Sequence, residues 1–241
     1  MDFEKYSGRT DNIYDEEYFR GKVYYDYFRE MSVRIKVFKD KLQLIQEYLP
    51  RMGRVLDLGC AMGFFLKVMK ERNYEVYGVE VSKYAAGYAK NSLNLNVHEG
   101  DLQSADFHDE FFDIITMWDV LEHLSNPQET LIEIKRILTG NGVLIIETLN
   151  IGSLTARILK KNWPLYFPPY HLFYFSLKAL KNVLAETGFS VIKIIPIQTY
   201  LKTRQGFKVF KYFKNPILRK VLGAFLNDVI CCLAIKSIRG S

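Results

Sequence analysis

The chain has few cysteines, few histidines and no long apolar run. Its three cysteines are Cys60, Cys231 and Cys232, so neither a disulfide framework nor a zinc-binding spacing is present. No stretch of about 18 uncharged apolar residues occurs, which argues against a membrane-spanning helix. The first residues are polar and acidic and lack the apolar core of a signal peptide. These absences predict a cytoplasmic protein.

Positive charge is concentrated at the carboxyl-terminal end of the chain. The formal net charge is +6, yet residues 201–241 contain nine Lys and Arg residues and a single acidic residue. Residues 1–200 contain 24 basic and 26 acidic residues, so the larger part of the chain is close to neutral. A basic segment of this kind indicates two candidate partners, nucleic acid and an anionic membrane.

Short apolar runs alternate with helical stretches from residue 54 onward. Runs of this length bounded by turn residues are typical of buried strands, and we assign them to 54–59, 75–81, 95–99, 111–119, 142–150, 189–197 and 228–236. The alternation of strands with helices predicts an α/β fold with a doubly wound, mostly parallel, seven-stranded Rossmann-like sheet. A ligand crevice is expected at the carboxyl ends of its strands.

Two regions lie outside this alternation. Across residues 25–49, apolar side chains recur at three- and four-residue steps, which predicts an amphipathic helix; they are Phe28, Met31, Ile35, Phe38, Leu42, Ile45 and Leu49. We interpret residues 1–50 as an N-terminal helical cap and 51–241 as a Rossmann-like domain, together forming one structural domain. The basic segment 198–227 is predicted to be a helical insertion before the last strand.

A glycine loop follows the first predicted strand, in the sequence RVLDLGCAMGFF (54–65). Gly59 and Gly63 stand four residues apart with Ala61 between them, which differs from the dinucleotide fingerprint G-x-G-x-x-G. Asp57 comes just ahead of the loop, where its carboxylate would repel a phosphate. The loop therefore favours a cationic or zwitterionic ligand.

Two further acidic residues follow the next two strands. Glu80 closes the second strand, where a carboxylate accepts hydrogen bonds from a ribose diol. Asp101 follows the third strand and is placed to accept a hydrogen bond from a group such as an adenine amine. Together with Asp57, they predict a nucleoside ligand without phosphates.

Four segments resemble the successive motifs of class I S-adenosylmethionine-dependent methyltransferases. They are VLDLGCAMG, VYGVEVS, EGDL and DIITMWDVLEHL, and the resemblance covers most of residues 25–195. The chain is similar in particular to the small-molecule methyltransferases of the ubiquinone-biosynthesis type. The resemblance implies S-adenosylmethionine as the cofactor and S-adenosylhomocysteine as its product.

The resemblance also implies which residues bind this cofactor. The set comprises Asp57, Gly59, Ala61, Gly63, Glu80, Val81, Asp101, Leu102 and Trp118. Within it, the glycine loop is implied to pass close to the methionine part and Glu80 to hold the ribose. Asp101 and Leu102 are implied to lie at the adenine, and Trp118 near the methionine amino group.

The resemblance leaves the methyl acceptor open, and we expect a small molecule with an oxygen nucleophile. A hydroxyl acceptor must lose a proton, and a histidine that is neutral near pH 7 suits that role. His171, in WPLYFPPYHLFYFS, is our first candidate for the general base, and His123, in DVLEHL, is the second. The aromatic residues around His171 either form an apolar acceptor pocket or belong to the core.

Three alternatives accompany this interpretation. Asp119, Glu122 and His123 occupy places similar to those of divalent-metal ligands in some quinone O-methyltransferases, but acidic residues at a helix start are also favoured by the helix dipole. We therefore assign no metal. The basic end admits an RNA methyltransferase, which the near-neutral core disfavours. It also admits a methyltransferase that acts on a quinone or lipid through peripheral membrane contact of residues 199–226.

Overall fold

The computed structural model describes residues 14–21, 26–168, 170–195 and 228–237. The predicted basic insertion 198–227 and the candidate membrane contact 199–226 therefore lie outside the described residues.

The described part of the chain contains seven strands and seven α-helices. The strands are β1 (Arg54–Leu58), β2 (Glu75–Glu80), β3 (Asn96–Glu99), β4 (Phe112–Trp118), β5 (Leu138–Leu149), β6 (Phe189–Ile195) and β7 (Val229–Lys236). The helices are α1 (Glu16–Phe19), α2 (Met31–Ile45), α3 (Phe64–Lys70), α4 (Lys83–Leu93), α5 (Pro127–Ile137), α6 (Leu154–Leu159) and α7 (Leu177–Glu186).

All seven strands form one sheet in the order β3-β2-β1-β4-β5-β7-β6. The strands from β1 to β5 pair in parallel, and β7 runs antiparallel between β5 and β6. This arrangement confirms the predicted α/β fold. The strand order reverses between β1 and β4, and a ligand crevice is expected at such a switch point.

Each face of the sheet is covered by helices. On one face, Leu131 and Ile134 of α5 and Leu180 of α7 pack against the strands. On the other face, Leu42 and Ile45 of α2 pack together with residues of α3 and α4. Successive residues of a strand point to opposite faces, so each strand contributes to both cores.

The structure differs from the sequence prediction in two places. The fifth strand, predicted at 142–150, begins earlier, at Leu138 of β5. Its register with β4 shifts there, since Phe112 pairs with Leu138 whereas Ile114 pairs with Val143. The predicted helix over 25–49 is shorter and occupies Met31–Ile45, followed by a 3₁₀ turn. Within the described ranges, no helix combines the length and apolarity needed to cross a membrane.

Two isoleucines on α5 test which face of this helix stabilises the fold. Ile134 is fully buried and Ile132 is 60% exposed. Replacing Ile134 with Ala should lower the free energy of unfolding by about 2–5 kcal/mol because it leaves a cavity. The matched change Ile132→Ala should stay within about 0.5 kcal/mol. Urea denaturation followed by circular dichroism measures both, and equal losses would contradict the packing described here.

Candidate active site

A cavity of about 620 Å³ lies at the carboxyl ends of β1, β2, β4 and β5. Its volume is within the range of about 300–1,000 Å³ that is typical of small-molecule sites. Eight of the nine predicted cofactor residues line it, and both candidate bases do so as well. The predicted lining residues are Asp57, Gly59, Ala61, Glu80, Val81, Asp101, Leu102, Trp118, His123 and His171.

The glycine loop turns sharply between β1 and α3. Gly59 has a φ of 68°, and a Cβ at this position would lie 2.6 Å from a methyl group of Val120. The N–H of Gly59 donates to the carbonyl oxygen of Val79 at 2.8 Å, so the loop is fixed to β2. Gly63 does not line the cavity, and a Cβ there would meet Leu95 instead. In the structure Gly63 therefore allows the loop to pack closely, and the cavity wall is formed by Gly59 and Ala61.

Glu80 holds the glycine loop at the end of β2. Its Oε2 accepts a hydrogen bond from the Ala61 N–H, and its Oε1 accepts one from the Ser82 N–H, each at 2.8 Å. Burial raises the pKa of this carboxyl group, and the two backbone donors oppose that rise. Each carboxylate oxygen can accept a second hydrogen bond, so Glu80 can also bind a diol.

Asp57 lies deeper than its place in the sequence suggested. Its side chain is 2% exposed, and its Oδ1 accepts a hydrogen bond from the Thr116 hydroxyl at 2.6 Å. Burial raises the pKa of Asp57 to about 8, although the nearby Lys41 lowers it. Burial therefore opposes the constant negative charge that the sequence predicted at the loop.

Asp101 and Leu102 lie at the end of β3. Leu102 is buried, while Asp101 is exposed and its Oδ1 accepts a hydrogen bond from the Ser104 N–H at 2.8 Å. That hydrogen bond holds the pKa of Asp101 below its usual value. An apolar side chain beside a carboxylate suits an adenine ring with an exocyclic amine.

The sequence prediction missed a buried ion pair on the cavity wall. Lys41 of α2 donates from Nζ to Oε1 of Glu147 at 2.6 Å, and both side chains are less than 8% exposed. Nζ also lies 4.6 Å from the centre of the Trp118 ring. Burial raises the pKa of Glu147, and the charge of Lys41 opposes that rise.

A second polar group contains the two candidate bases. Nδ1 of His123 lies 2.7 Å from the carbonyl oxygen of Tyr170, and Nδ1 of His171 lies 2.8 Å from that of Leu165. The two imidazole rings are in contact, with centroids 4.8 Å apart. Glu122 lies beside them, and its Oε2 accepts a hydrogen bond from the Thr148 hydroxyl at 2.8 Å.

The two histidines and Glu122 also concern the divalent-metal site considered in the sequence analysis. Among the described residues, potential ligand atoms of Glu122, His123 and His171 lie within 4.8 Å of one another. His171 thus takes the place that the sequence prediction had given to Asp119.

The aromatic wall of the cavity comes from a different part of the chain than expected. None of the aromatic residues around His171 lines it, and two of them, Trp163 and Phe175, are buried in the core. The structure thus favours the core alternative for that cluster. The cavity is instead lined by aromatic residues from the N-terminal part, from α3 and from β4, which are Tyr14, Tyr18, Phe19, Tyr27, Phe38, Phe64 and Trp118. Tyr24 and Tyr25, which the family resemblance places near the cofactor, lie outside the described residues.

Comparison with known proteins identifies the family. The family described as "Methyltransferase domain" matches residues 26–194, which is more than half of the chain. The chain belongs to this methyltransferase family. It is therefore an enzyme. Membership of this family also confirms S-adenosylmethionine, the methyl donor that the sequence predicted.

Individual relatives are consistent with this assignment. An uncharacterised protein of Methanocaldococcus jannaschii is 28% identical over 76% of this methyltransferase and 83% of its own length. A ubiquinone biosynthesis O-methyltransferase of Azoarcus is 32% identical over 40% of this chain and 44% of its own length.

Solved structures of methyltransferases share the fold. A possible histamine N-methyltransferase of Thermotoga maritima superposes with a TM-score of 0.60 at 21% identity, covering 88% of this chain and 95% of its own. An S-adenosylmethionine-dependent methyltransferase of Archaeoglobus fulgidus reaches 0.62 at 23% identity, covering 88% and 100%.

The residues of the cavity fit the methyl donor. When bound, S-adenosylmethionine supplies an electrophilic methyl group on a sulfonium. A side chain at position 59 would clash with Val120, so the loop requires glycine there. Glu80 can still accept hydrogen bonds from a ribose. The side chain of Leu102 offers an apolar contact to an adenine ring. Nε1 of Trp118 is buried without a hydrogen-bond partner among the described residues, which indicates that a ligand completes this wall.

Two substitutions test the cofactor-binding half of the cavity. Gly59→Val should abolish binding of S-adenosylmethionine, because the side chain meets Val120 and the positive φ is strained. Glu80→Ala should weaken binding about 100-fold or more, because the loop loses its anchor and the ribose an acceptor. Isothermal titration calorimetry measures both. Gly87→Ala, at a helical position with open space around it, is the control and should bind normally. Unchanged affinity in both test variants would contradict the assignment.

Proposed function

We propose that this methyltransferase transfers the methyl group to an oxygen of a small-molecule acceptor, with His171 as the general base. The observation that carries the proposal is the fixed pair of imidazoles at the cavity, His123 and His171. The Azoarcus relative, a ubiquinone biosynthesis O-methyltransferase, supports an oxygen acceptor.

The hydrogen bonds of the two histidines define their tautomers. A carbonyl oxygen only accepts hydrogen bonds, so the Nδ1 atom of each ring carries the proton and donates it. In the neutral ring, Nε2 then carries the lone pair that can accept a proton. The backbone carbonyls of Tyr170 and Leu165 thus orient both rings for proton transfer.

The environment keeps both rings neutral. Burial, together with the smaller effect of the neighbouring His171, lowers the pKa of His123 to about 4. Burial also lowers the pKa of His171, while its hydrogen bond to Leu165 opposes this shift. A neutral imidazole is the form that a general base requires, and both shifts favour that form at pH 7.

His171 is the better of the two candidates. A base with a pKa of about 4 holds a proton weakly, which disfavours His123. His123 is also contacted by the hydroxyl of Tyr14, at 3.1 Å from Nδ1. We therefore give His123 the role of packing against His171 and fixing its ring.

The mechanism that follows is one of alignment and proton removal. The apolar and aromatic cavity wall excludes water and orients the acceptor hydroxyl. With S-adenosylmethionine bound, Nε2 of His171 would accept the proton of the acceptor hydroxyl, and the cofactor would supply the methyl group. The proton on Nδ1 stays on Nδ1 and remains hydrogen-bonded to the Leu165 carbonyl, so the ring keeps its orientation when it becomes an imidazolium.

Replacing His171 with Asn tests the base. The amide retains a donor for the Leu165 carbonyl but cannot accept the acceptor's proton, so turnover should fall about 10²- to 10⁴-fold. The assay is release of S-adenosylhomocysteine with a panel of phenols, quinols, sugars and lipids, on which the wild type first identifies an acceptor. Affinity for S-adenosylmethionine, measured by calorimetry, should be unchanged. Full turnover by the variant would contradict the role of His171.

The pH dependence provides a separate test. Because the pKa of His171 is lowered, the base stays neutral down to a pH below the ordinary histidine value of about 6.5. We expect kcat/KM to be flat from about pH 6.5 to 8 and to fall only at more acidic pH, where Nε2 becomes protonated. A rate that continues to rise between pH 7 and 9 would instead indicate ionisation of the acceptor itself without this base.

A further inference from the structure

We propose that Tyr14 is a second catalytic residue, whose hydroxyl donates a hydrogen bond to the acceptor oxygen that receives the methyl group. The inference rests on the proposed function, because it takes an oxygen acceptor as given. It assigns the Tyr14 hydroxyl to the acceptor and not to the methyl donor.

Tyr14 lines the cavity and reaches the histidines from the N-terminal side. Its backbone carbonyl oxygen accepts a hydrogen bond from the hydroxyl of Ser82 at the start of α4. Its ring packs edge-on against Tyr18, with centroids 5.1 Å apart, and its hydroxyl oxygen lies 3.1 Å from Nδ1 of His123. Backbone and ring are both fixed, so the hydroxyl keeps its place beside the histidines.

The hydrogen of the Tyr14 hydroxyl cannot be directed at His123. Nδ1 of His123 carries its own proton, which it donates to the carbonyl oxygen of Tyr170 at 2.7 Å. A protonated ring nitrogen has no lone pair, so in the contact at 3.1 Å the phenolic oxygen of Tyr14 accepts a share of the same N–H. The hydroxyl hydrogen is therefore left without an acceptor among the described residues, although Tyr14 lines the cavity.

Tyr14 keeps this hydrogen near neutral pH. Burial raises the pKa of the phenol, and the carboxyl groups of Glu80 and Glu122 raise it further. The hydroxyl therefore acts as a hydrogen-bond donor and not as a base. Its chemistry is the reverse of that of His171, whose Nε2 has a lone pair and accepts.

Tyr14 and His171 both contact His123. Tyr14 does so through its hydroxyl, and His171 through its ring, with centroids 4.8 Å apart; both residues also line the cavity. An acceptor hydroxyl at this wall thus meets one group that donates a hydrogen bond and one that accepts a proton. The donor stabilises the negative charge that forms on the oxygen as its proton is removed.

The charges balance with Tyr14 unchanged. The proton of the acceptor's O–H bond goes to Nε2 of His171, and the oxygen gains the methyl group. The positive charge of the sulfonium is lost as S-adenosylhomocysteine forms, and the imidazolium carries it instead. The hydrogen bond from Tyr14 matters most for strongly basic oxygens, because they hold the most concentrated charge once the proton has left.

The test compares two acceptors that differ in acidity. They are the hydroxyl compound that the panel identifies and its derivative with an electron-withdrawing substituent, such as phenol and 4-nitrophenol. Tyr14→Phe should lower kcat/KM for the weaker acid about 10- to 100-fold, because a hydrogen bond to a charged oxygen is lost. The stronger acid ionises without help from the enzyme at mildly alkaline pH, so its kcat/KM should change little. Release of S-adenosylhomocysteine measures both.

Two controls separate catalysis from structure. Tyr84→Phe removes a hydroxyl that accepts a hydrogen bond from Arg20 beside the N-terminal segment, at a position that does not line the cavity. It should leave kcat/KM unchanged for both acceptors. The affinity of Tyr14→Phe for S-adenosylmethionine, measured by calorimetry, should equal that of the wild type.

Three results for Tyr14→Phe would overturn the inference. The first is an equal loss for both acceptors, because a loss of packing affects all acceptors alike. The second is no loss for either acceptor. The third is a weakened affinity for S-adenosylmethionine that accounts for the whole loss of rate. If the wild type methylates no hydroxyl compound of the panel, the inference is wrong together with the proposed oxygen acceptor.

The outcome is separable from the test of the base. If His171→Asn keeps full turnover while Tyr14→Phe loses rate for the weaker acid alone, the base is wrong and the role of Tyr14 stands. If His171→Asn is slow while Tyr14→Phe loses rate equally for both acceptors, the base stands and the role of Tyr14 is wrong.

Discussion

The carboxylate of Glu80 connects the glycine loop after β1 to the start of α4. One oxygen accepts the N–H of Ala61 in the glycine loop, and the other accepts the N–H of Ser82 at the start of α4. Gly59 and Ala61 both have positive φ, so the loop needs an external anchor to hold this conformation. The burial of Glu80 is tolerated because two backbone donors compensate it. The position of the loop, and with it one wall of the cavity, depends on this carboxylate.

Side-chain alternation divides the edge of the sheet into two chemical environments. Glu147 and Thr148 are neighbours in β5, yet one bonds to Lys41 and the other to Glu122. The charged residues thus lie on one face and the neutral imidazoles on the other. This separation matters because a lysine beside His171 would further lower the basicity of that ring. The same strand therefore borders a charged environment on one face and the imidazole pair on the other.

The fold and the main loop could be predicted because their signals are local. The pattern of apolar runs predicted the strands of the sheet. Glu80 was predicted as a binding residue because it is acidic and stands at the end of the second strand. Lys41 was missed because a lysine on an amphipathic helix ordinarily faces water, and only the packing of α2 on the sheet turns it into the cavity. Glu147 did leave a signal, since a charged residue within the apolar run LIIETL requires a partner when buried. The identity of that partner depends on tertiary contacts between residues 106 positions apart.

The depth of Asp57 changes what its carboxyl group contributes to binding. An exposed carboxylate would present a constant negative charge, but burial raises the pKa of Asp57 to about 8, so it holds a proton for much of the time at pH 7. A sulfonium and an ammonium placed nearby favour the ionised form and lower this pKa. The charge of Asp57 therefore depends on the groups that lie beside it in the cavity and is not a constant negative charge at the loop.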